Sequence, residues 1–493
     1  MAVQPLYPEP PAALVKPGLV YLGRYLGPGV IIASVTIGSG ELVYASRSGA
    51  IFGYGLLWCF LYAGLFKAIQ VYTAARYITL TGEHPMVTWS QLPGPRNWFP
   101  LMIAVPAVVL MPIAFSAIPE ILGGFVHRLA GMEMLGPQVG VWHHLEFWIN
   151  LWSTLLLLLC MLLALGSNYQ LLERISIVVL TGIVVCVGTA VIVFWPHWGE
   201  LLGGMLLPCR PVYPDWLLKT PDLAEEFRGR SPWLEVSIYL GAVGGGAYDY
   251  IGYIGMLREK KWGLAGCRVA TRQELYKAVA DDTPTAATTI LRARQWRRAP
   301  LFDTAVSFAM VIIVTMLFAI LAKLVLHHEM AVPANNALLN EQETFLTALH
   351  PELRWVYRLG VFLAFLGTLY GAFEVYRQTF VESAKAICPR WVTSQRVPAV
   401  RLGVLVYCVL GGLTMMWLPE QAAGTIIKRM TFGSIISGAT SCGLWCFAML
   451  WCDHVRLPAP LRMGMLMKIL VLIAGSGMTL LGVIITLEYL RSA

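Results

Sequence analysis

Long apolar segments separated by short polar ones are the feature that most limits what this chain can fold into. A membrane-spanning helix needs roughly 20 mostly apolar residues, and about eleven segments meet this requirement. Hydrophobic residues make up 57% of the 493 residues and charged residues only 13%, so a soluble domain could not bury this much apolar surface. We predict an all-α polytopic membrane protein in the lipid bilayer. Its spans, numbered 1 to 11, are residues 28–51, 54–78, 98–122, 146–167, 172–196, 233–257, 301–326, 353–376, 400–418, 424–451 and 463–488.

The distribution of Lys and Arg predicts how these spans are oriented. The 258–298 loop between spans 6 and 7 is rich in both residues, whereas the 327–345 loop after span 7 has neither. Cytoplasmic loops carry the excess of positive charge, so we expect the 258–298 loop and the N-terminal tail, residues 1–24, to be cytoplasmic and the C-terminus extracytoplasmic. The Pro-rich tail has no apolar signal region, which favours the plasma (cytoplasmic or inner) membrane. The cytoplasmic loops also account for the net charge of +8, and no nucleic-acid partner is expected.

Two spans are interrupted by glycines. Span 1 contains Gly38-Ser39-Gly40, and span 6 contains Gly244-Gly245-Gly246 between Ala242 and Asp249. Because these spans are five apart, we predict two five-helix repeats, residues 25–197 and 233–452. The extracytoplasmic loop 198–232 would separate them, and an extra helix, 453–493, would follow. Matching glycine-interrupted spans indicate a solute site near the middle of the membrane, although such glycines can also serve close helix packing.

The two breaks define the candidate substrate site, with an acidic residue directly after the glycines of each. Carboxylates inside spans are rare and usually functional, so Glu41 and Asp249 are candidate ligands for a cation or a proton. Each could instead cap the N-terminus of a helix. The predicted substrate-binding residues are Ile37, Gly38, Ser39, Gly40, Glu41, Ala242, Gly245, Gly246 and Asp249.

Three further ionisable residues inside predicted spans are candidates for proton coupling, namely Glu120, Lys67 and Glu374. Lys67 has three possible roles: it could pair with a carboxylate, act as a fixed internal cation, or reach the membrane surface along its flexible stem. No P-loop or HExxH pattern occurs, and the ten cysteines form no CxxC pair. We therefore expect no cofactor and no enzymatic activity.

Two longer motifs resemble a known family. The segment "GPGVIIASVTIGSGELVYASRSGAIFGYGLLW" (27–58), followed by "QVYTAARYITLTG" (70–82), resembles the first two spans of the Nramp (natural resistance-associated macrophage protein) family of divalent-metal transporters. "PEILG" (119–123), "YLGAVGGGAYD" (239–249) and "LFDTAVSF" (301–308) resemble other spans of that family more weakly. The resemblance implies a LeuT-type fold of two inverted five-helix repeats plus C-terminal helices. It also implies symport of protons with manganese or ferrous iron.

The sequence departs from this family at the metal site. The family's Asp-Pro-Gly-Asn motif falls on Gly38-Ser39-Gly40-Glu41, and its Met-Pro-His motif falls on Gly245-Gly246-Ala247. The thioether that selects transition metals is therefore missing. Glu41 and Asp249 could rebuild a metal site of oxygen ligands, which would suit Mg²⁺ or Mn²⁺.

A shorter resemblance supports an alternative substrate. "IGSG" (37–40) is similar to the break in amino acid–polyamine–organocation transporters, which share the LeuT-type fold. The leading prediction is an Nramp-like secondary-active transporter of a divalent metal ion with an altered site. The first alternative is an amino-acid or amine carrier of the same fold. The second is a non-transporting membrane sensor or scaffold that uses the 258–298 loop for interaction.

Overall fold

The computed structural model describes residues 5–15, 25, 38–131, 144–166, 169–280, 283–333 and 339–492. Over these residues the secondary structure is helical, which confirms the predicted all-α membrane fold. The helices up to the first half of span 6 are Ala12–Val15, the π-helical turn Ser39–Tyr44, Ala45–Phe52, Leu57–Thr81, Pro85–Trp89, Trp98–Leu129, His144–Leu165, Tyr169–Phe194, Trp198–Leu206, Asp215–Lys219, Pro221–Phe227 and Pro232–Ala242. Those that follow are Ala247–Lys260, Arg272–Ala280, Pro284–Trp296, Arg298–Leu324, the 3₁₀ turn Glu341–Glu343, Thr344–Thr347, Leu353–Ile387, Val397–Met416, Glu420–Ala423, Ile426–Ser437, Ala439–Arg456, the 3₁₀ turn Ala459–Leu461 and Met465–Ser492.

Eight helical segments among the described residues are long and apolar enough to cross a membrane, and they correspond to spans 2, 3, 4, 7, 8, 9, 10 and 11. The other three predicted spans are not among these eight segments. Span 1 is described only from Gly38 onward, and span 6 is two short helices, Pro232–Ala242 and Ala247–Lys260. Span 5 is the helix Tyr169–Phe194. The division into repeats, residues 25–197 and 233–452, stays a prediction.

Span 10 differs from the single segment 424–451 that hydropathy predicts. It consists of Ile426–Ser437 and Ala439–Arg456, separated at Gly438, whose backbone has φ −81° and ψ −113°. At this point span 10 approaches span 6 closely, because a side chain on Gly438 would contact the Cα of Gly241. The break in span 10 therefore lies against the end of the first half of span 6.

The broken spans occupy the centre of the packing. Span 7 packs against spans 1 and 2, and span 8 packs against the second half of span 6. The first half of span 6 lies between span 1 and the first half of span 10. A continuous apolar core surrounds these contacts, with Leu42 from span 1, Tyr239 from span 6 and Phe318 from span 7 all fully or almost fully buried.

The N-terminal tail packs against the basic 258–298 loop, which is itself largely helical. The indole of Trp296 donates a hydrogen bond to the carbonyl of Pro8 (3.0 Å), and Arg292 donates one to the carbonyl of Tyr7 (3.0 Å). The Tyr7 hydroxyl in turn donates to the carbonyl of Leu80, at the end of span 2 (2.9 Å). The described part of the tail and this loop therefore lie on the same side of the molecule.

Candidate functional site

The start of the described part of span 1, at Gly38, and the break in span 6 meet in the interior and are hydrogen-bonded to each other, and we call them the joined breaks. Glu41, in the π-helical turn that follows Gly38, is fully buried. Its Oε1 accepts a hydrogen bond from the backbone N–H of Gly244, 203 positions further along the chain (3.0 Å). A side chain at Gly38 would collide with Thr368 of span 8, so glycine is required there by close packing. The two glycine-rich motifs thus form one structure.

The break in span 6 depends on the backbone freedom of glycine. Gly244 and Gly245 have φ values of +72° and +83°, which lie in the left-handed region that glycine adopts without a steric cost. The helix resumes at Ala247, and Asp249 Oδ2 accepts a hydrogen bond from the N–H of Gly246 (2.7 Å). The hydroxyl of Tyr250 donates to the carbonyl of Gly244 (2.7 Å). Asp249 therefore caps the second half of span 6 while it lies buried beside the break.

Lys67 of span 2 enters the same break. Its side chain is fully buried, and its Nζ donates to the carbonyl oxygens of Leu240, Val243 and Gly245, each at 2.6 Å. The carboxylates of Glu41 and Asp249 accept hydrogen bonds from the N–H groups of Gly244 and Gly246 in the same break. Two carboxylates and one ammonium therefore share one buried site, and Lys67 does not reach the membrane surface.

The structure brings together most of the substrate-site residues that the sequence predicts. Gly38, Gly40, Glu41, Gly245, Gly246 and Asp249 are buried around the joined breaks. Ile37 lies outside the described residues. Ser39 and Ala242 are described only in their backbone, as the first residue of the π-helical turn and the last residue of the first half of span 6.

Two of the proton-coupling candidates form ion pairs elsewhere in the structure. Glu120 of span 3 pairs through both oxygens with Arg429 of span 10, and Arg429 also donates to the hydroxyl of Ser116 (2.6 Å). This pair is largely buried. Glu374 pairs with Arg377 on its own helix and remains partly exposed.

One cluster of charged residues near the site was not predicted from the sequence. Arg47 follows the break in span 1 and is fully buried, and its guanidinium donates to both oxygens of the buried Glu235 (3.0 and 3.3 Å). It also donates to Glu226 (2.7 Å) and to the carbonyl of Pro333 (2.7 Å). Arg230 completes the cluster at 3.2 Å from Glu235. The signal was present in the sequence, because both Arg47 and Glu235 fall inside predicted spans, where charge is rare.

This cluster joins span 1, the first half of span 6 and two connecting segments. Its charged residues are Arg47, Glu226, Arg230 and Glu235. The opposite ends of the spans are joined by other pairs, Arg76 with Asp453 (2.8 Å) and Arg258 with Glu382. Ion pairs therefore connect helices on both sides of the joined breaks.

The side chains around the breaks do not form a conventional metal cage. Among the described residues, no group of three or more His, Cys, Asp or Glu side chains is arranged to hold a metal ion. A cation at this place would have to use the carboxylates of Glu41 and Asp249 together with backbone carbonyls, which are ligands suited to hard cations. Three of those carbonyls bind Lys67 in this structure.

The chain has the predicted LeuT-type fold, in which spans 1 and 6, five spans apart, come together at the joined breaks. The sequence model of the "Natural resistance-associated macrophage protein-like" (Nramp) family matches residues 29–217. This match begins just before Gly38 and ends in the connection to span 6, so it includes the two longer motifs on which the resemblance to that family rests. A search of curated proteins finds no match.

Solved structures of the manganese transporter of Eremococcus coleocola have the same fold. The complex of that transporter with an aromatic bis-isothiourea substituted compound has a TM-score of 0.58 at 13% identity and covers 99% of this chain and 90% of that chain. A point mutant of the same transporter has a TM-score of 0.60 at 13% identity and covers 100% and 94% of the respective chains. These similarities extend the fold assignment over the full chain.

Proposed function

We propose that this protein is a secondary transporter that moves a divalent metal cation by alternating access around the joined breaks. The observation that carries the proposal is the placement of two buried carboxylates, Glu41 and Asp249, at the two breaks of an Nramp-related chain. The similar fold of the Eremococcus coleocola manganese transporter supports the same class of substrate. The family relation also favours transport over catalysis.

The chemistry of the site favours a hard cation. Gly38 and Gly245 supply no side-chain ligand, and the carboxylates of Glu41 and Asp249 and the carbonyls of the break are oxygen donors. Oxygen donors suit Mg²⁺, Ca²⁺ and Mn²⁺, whereas thioether and thiolate donors select softer ions. We therefore propose Mg²⁺ or Mn²⁺ as the cargo.

Proton coupling and orientation belong to the same proposal. The buried Glu120–Arg429 pair connects span 3 to span 10 beside the central packing, and protonation of Glu120 would release Arg429. We place this pair on the proton route, with the 258–298 loop and the N-terminal tail in the cytoplasm and the C-terminus outside. The host membrane is the plasma (cytoplasmic or inner) membrane.

Uptake by purified protein in liposomes tests the proposal. We expect saturable Mn²⁺ or Mg²⁺ uptake in the wild type, and we expect Glu41→Gln and Asp249→Asn each to abolish it. The matched control is Glu146→Gln, which removes a carboxylate from the first turn of span 4 and should leave uptake unchanged.

Tests with other solutes would show which alternative holds if the proposal is wrong. The absence of metal uptake, combined with thermal stabilisation by an amino acid or an amine, would assign the chain to the organic-solute alternative. The absence of any stabilising solute would assign it to the sensor or scaffold alternative. Full metal uptake by both carboxamide variants would disprove the site while leaving transport intact.

A further inference from the structure

The break in span 6 presents a cluster of carbonyl oxygens whose geometry is that of a cation site. The first half of span 6 ends at Ala242, and the last carbonyls of a helix have no partner within the helix and carry the negative end of its dipole. Leu240, Val243 and Gly245 direct their carbonyl oxygens to one point. The buried carboxylates of Glu41 and Asp249 lie beside it, bound to the N–H groups of Gly244 and Gly246. Unwound carbonyls and helix C-terminal ends hold cations in transporters with broken helices.

The ammonium of Lys67 occupies that point. An ammonium group has three N–H donors, and Lys67 makes three hydrogen bonds of 2.6 Å with a longer fourth contact to Gly241 (3.4 Å). Its donors are therefore used by this cluster. The oxygen distances are at the upper end of the range of about 2.3–2.6 Å that Ca²⁺ adopts and exceed the roughly 2.1 Å of Mg²⁺.

Neither of the two other roles considered for Lys67 fits this geometry. A lysine that reaches for the membrane surface keeps its ammonium in contact with water, whereas this side chain is fully buried. A lysine that forms a direct ion pair would donate to a carboxylate, but the hydrogen bonds of Lys67 go to backbone carbonyls. Glu41 and Asp249 direct oxygens to the N–H groups of Gly244 and Gly246 instead.

We propose that Lys67 is a tethered cation that permanently fills a cation site at the break in span 6. Its ammonium takes the place of a bound ion and stabilises the unwound backbone of span 6. This proposal rests on the proposed function, because it makes Lys67 the residue that confines the cargo to the carboxylate side of the breaks.

Chemical rescue of a truncated lysine tests the proposal. Lys67→Ala removes three methylene groups and the ammonium, and n-propylammonium replaces those atoms. We expect Lys67→Ala, purified as the full chain, to have a lower Tm than the wild type and to regain it saturably with n-propylammonium chloride. Small cations such as Na⁺ or Ca²⁺ should restore part of the loss. Choline, which has no N–H donor, should restore none.

Two variants serve as controls. Lys67→Met keeps all but the last atom of the side-chain length and has no charge or donors. It should therefore lower the Tm and should not respond to n-propylammonium, because its side chain fills most of the space. Lys468→Ala removes a half-buried lysine from span 11 and should show no response to any of these cations. The wild type should not be stabilised by n-propylammonium.

The proposal fails if the wild type is stabilised as much as Lys67→Ala. It also fails if Lys67→Ala shows no response, or cannot be recovered folded even when it is produced and purified in n-propylammonium. The outcome is separate from that of the uptake assay. Rescue of Lys67→Ala without metal uptake in the wild type would leave the tethered cation in place and overturn only the assignment of the cargo.

Discussion

Removal of Arg47 should loosen one end of spans 1 and 6. The guanidinium of Arg47 is fully buried and holds Glu235, Glu226 and the carbonyl of Pro333. The variant Arg47→Met keeps much of the apolar stem and removes the charge. Glu235 would then remain fully buried. Its remaining partners would be Arg230, at 3.2 Å, and the hydroxyl of Tyr239, which donates a hydrogen bond to it (3.0 Å).

The expected cost follows from the burial of the pair. Removing one member of a buried ion pair costs about 3–5 kcal/mol, because the other charge stays in a medium of low polarity. Arg230 still contacts Glu235, so we expect the lower end, about 3 kcal/mol. The double variant Arg47→Met with Glu235→Leu removes both charges. It should be more stable than the sum of the single variants predicts, with a coupling energy of at least about 1.5 kcal/mol.

Hydrogen exchange locates the effect in the structure. A local loss of about 3 kcal/mol corresponds to roughly 100-fold faster exchange, which we expect in segments 45–52 and 232–242. The matched control is Arg354→Met, which removes an arginine that pairs with Glu343 while remaining about half exposed; such exposed pairs contribute roughly 0–1 kcal/mol. Equal exchange in Arg47→Met and Arg354→Met, or strict additivity in the double variant, would refute the reasoning.

Three further changes have defined outcomes. Glu120→Gln breaks the buried pair with Arg429 and should make liposome uptake independent of an imposed proton gradient; uptake that still follows the gradient would remove Glu120 from the proton route. Burial lowers the pKa of His84, which lies outside the spans, to about 4. As the pH falls, the unfolded state therefore takes up a proton on this histidine before the folded state does. The contribution of His84 to the free energy of unfolding is therefore complete above about pH 6.5, and it falls by roughly 3 kcal/mol as the pH drops to about 4. His84→Gln should flatten this part of the stability curve, and thermal unfolding at several pH values measures it. Gly49→Val should lower the Tm, because any side chain at Gly49 collides with the backbone of Ala319 in span 7 and overpacking costs about 1–3 kcal/mol; an unchanged Tm would contradict this close approach.

The positions of most spans and of the break in span 6 could be predicted because each depends on local sequence. Apolar length sets the spans, and runs such as Gly244-Gly245-Gly246 cannot continue a stable helix. The break in span 10 could not be predicted, because the local sequence there gives no comparable signal. Gly438 is a single glycine in an apolar run, and such a glycine more often serves helix packing.

The partners of the charged residues could not be predicted from local sequence. Lys67 binds carbonyls that lie 173 to 178 positions away, and every residue offers the same carbonyl group, so no side-chain pattern marks them. Arg47 and Glu235 are 188 positions apart. Both were near the predicted ends of their spans, where a charge is ordinarily interfacial, and only the three-dimensional structure shows that they are buried together.

The contacts at the break explain how this site persists in a membrane. Unpaired backbone groups in the hydrocarbon region cost several kcal/mol each, yet here the N–H of Gly244 binds Glu41 and the carbonyls of Val243 and Gly245 bind Lys67. Charged side chains from spans 1 and 2 therefore satisfy the unwound part of span 6 without a cargo. A cargo bound by Glu41 would exchange for the contact between Glu41 and Gly244, while Lys67 stays on its carbonyls. Since Glu41 belongs to span 1, that exchange would change how span 1 is held to span 6, which is the relative movement that alternating access requires.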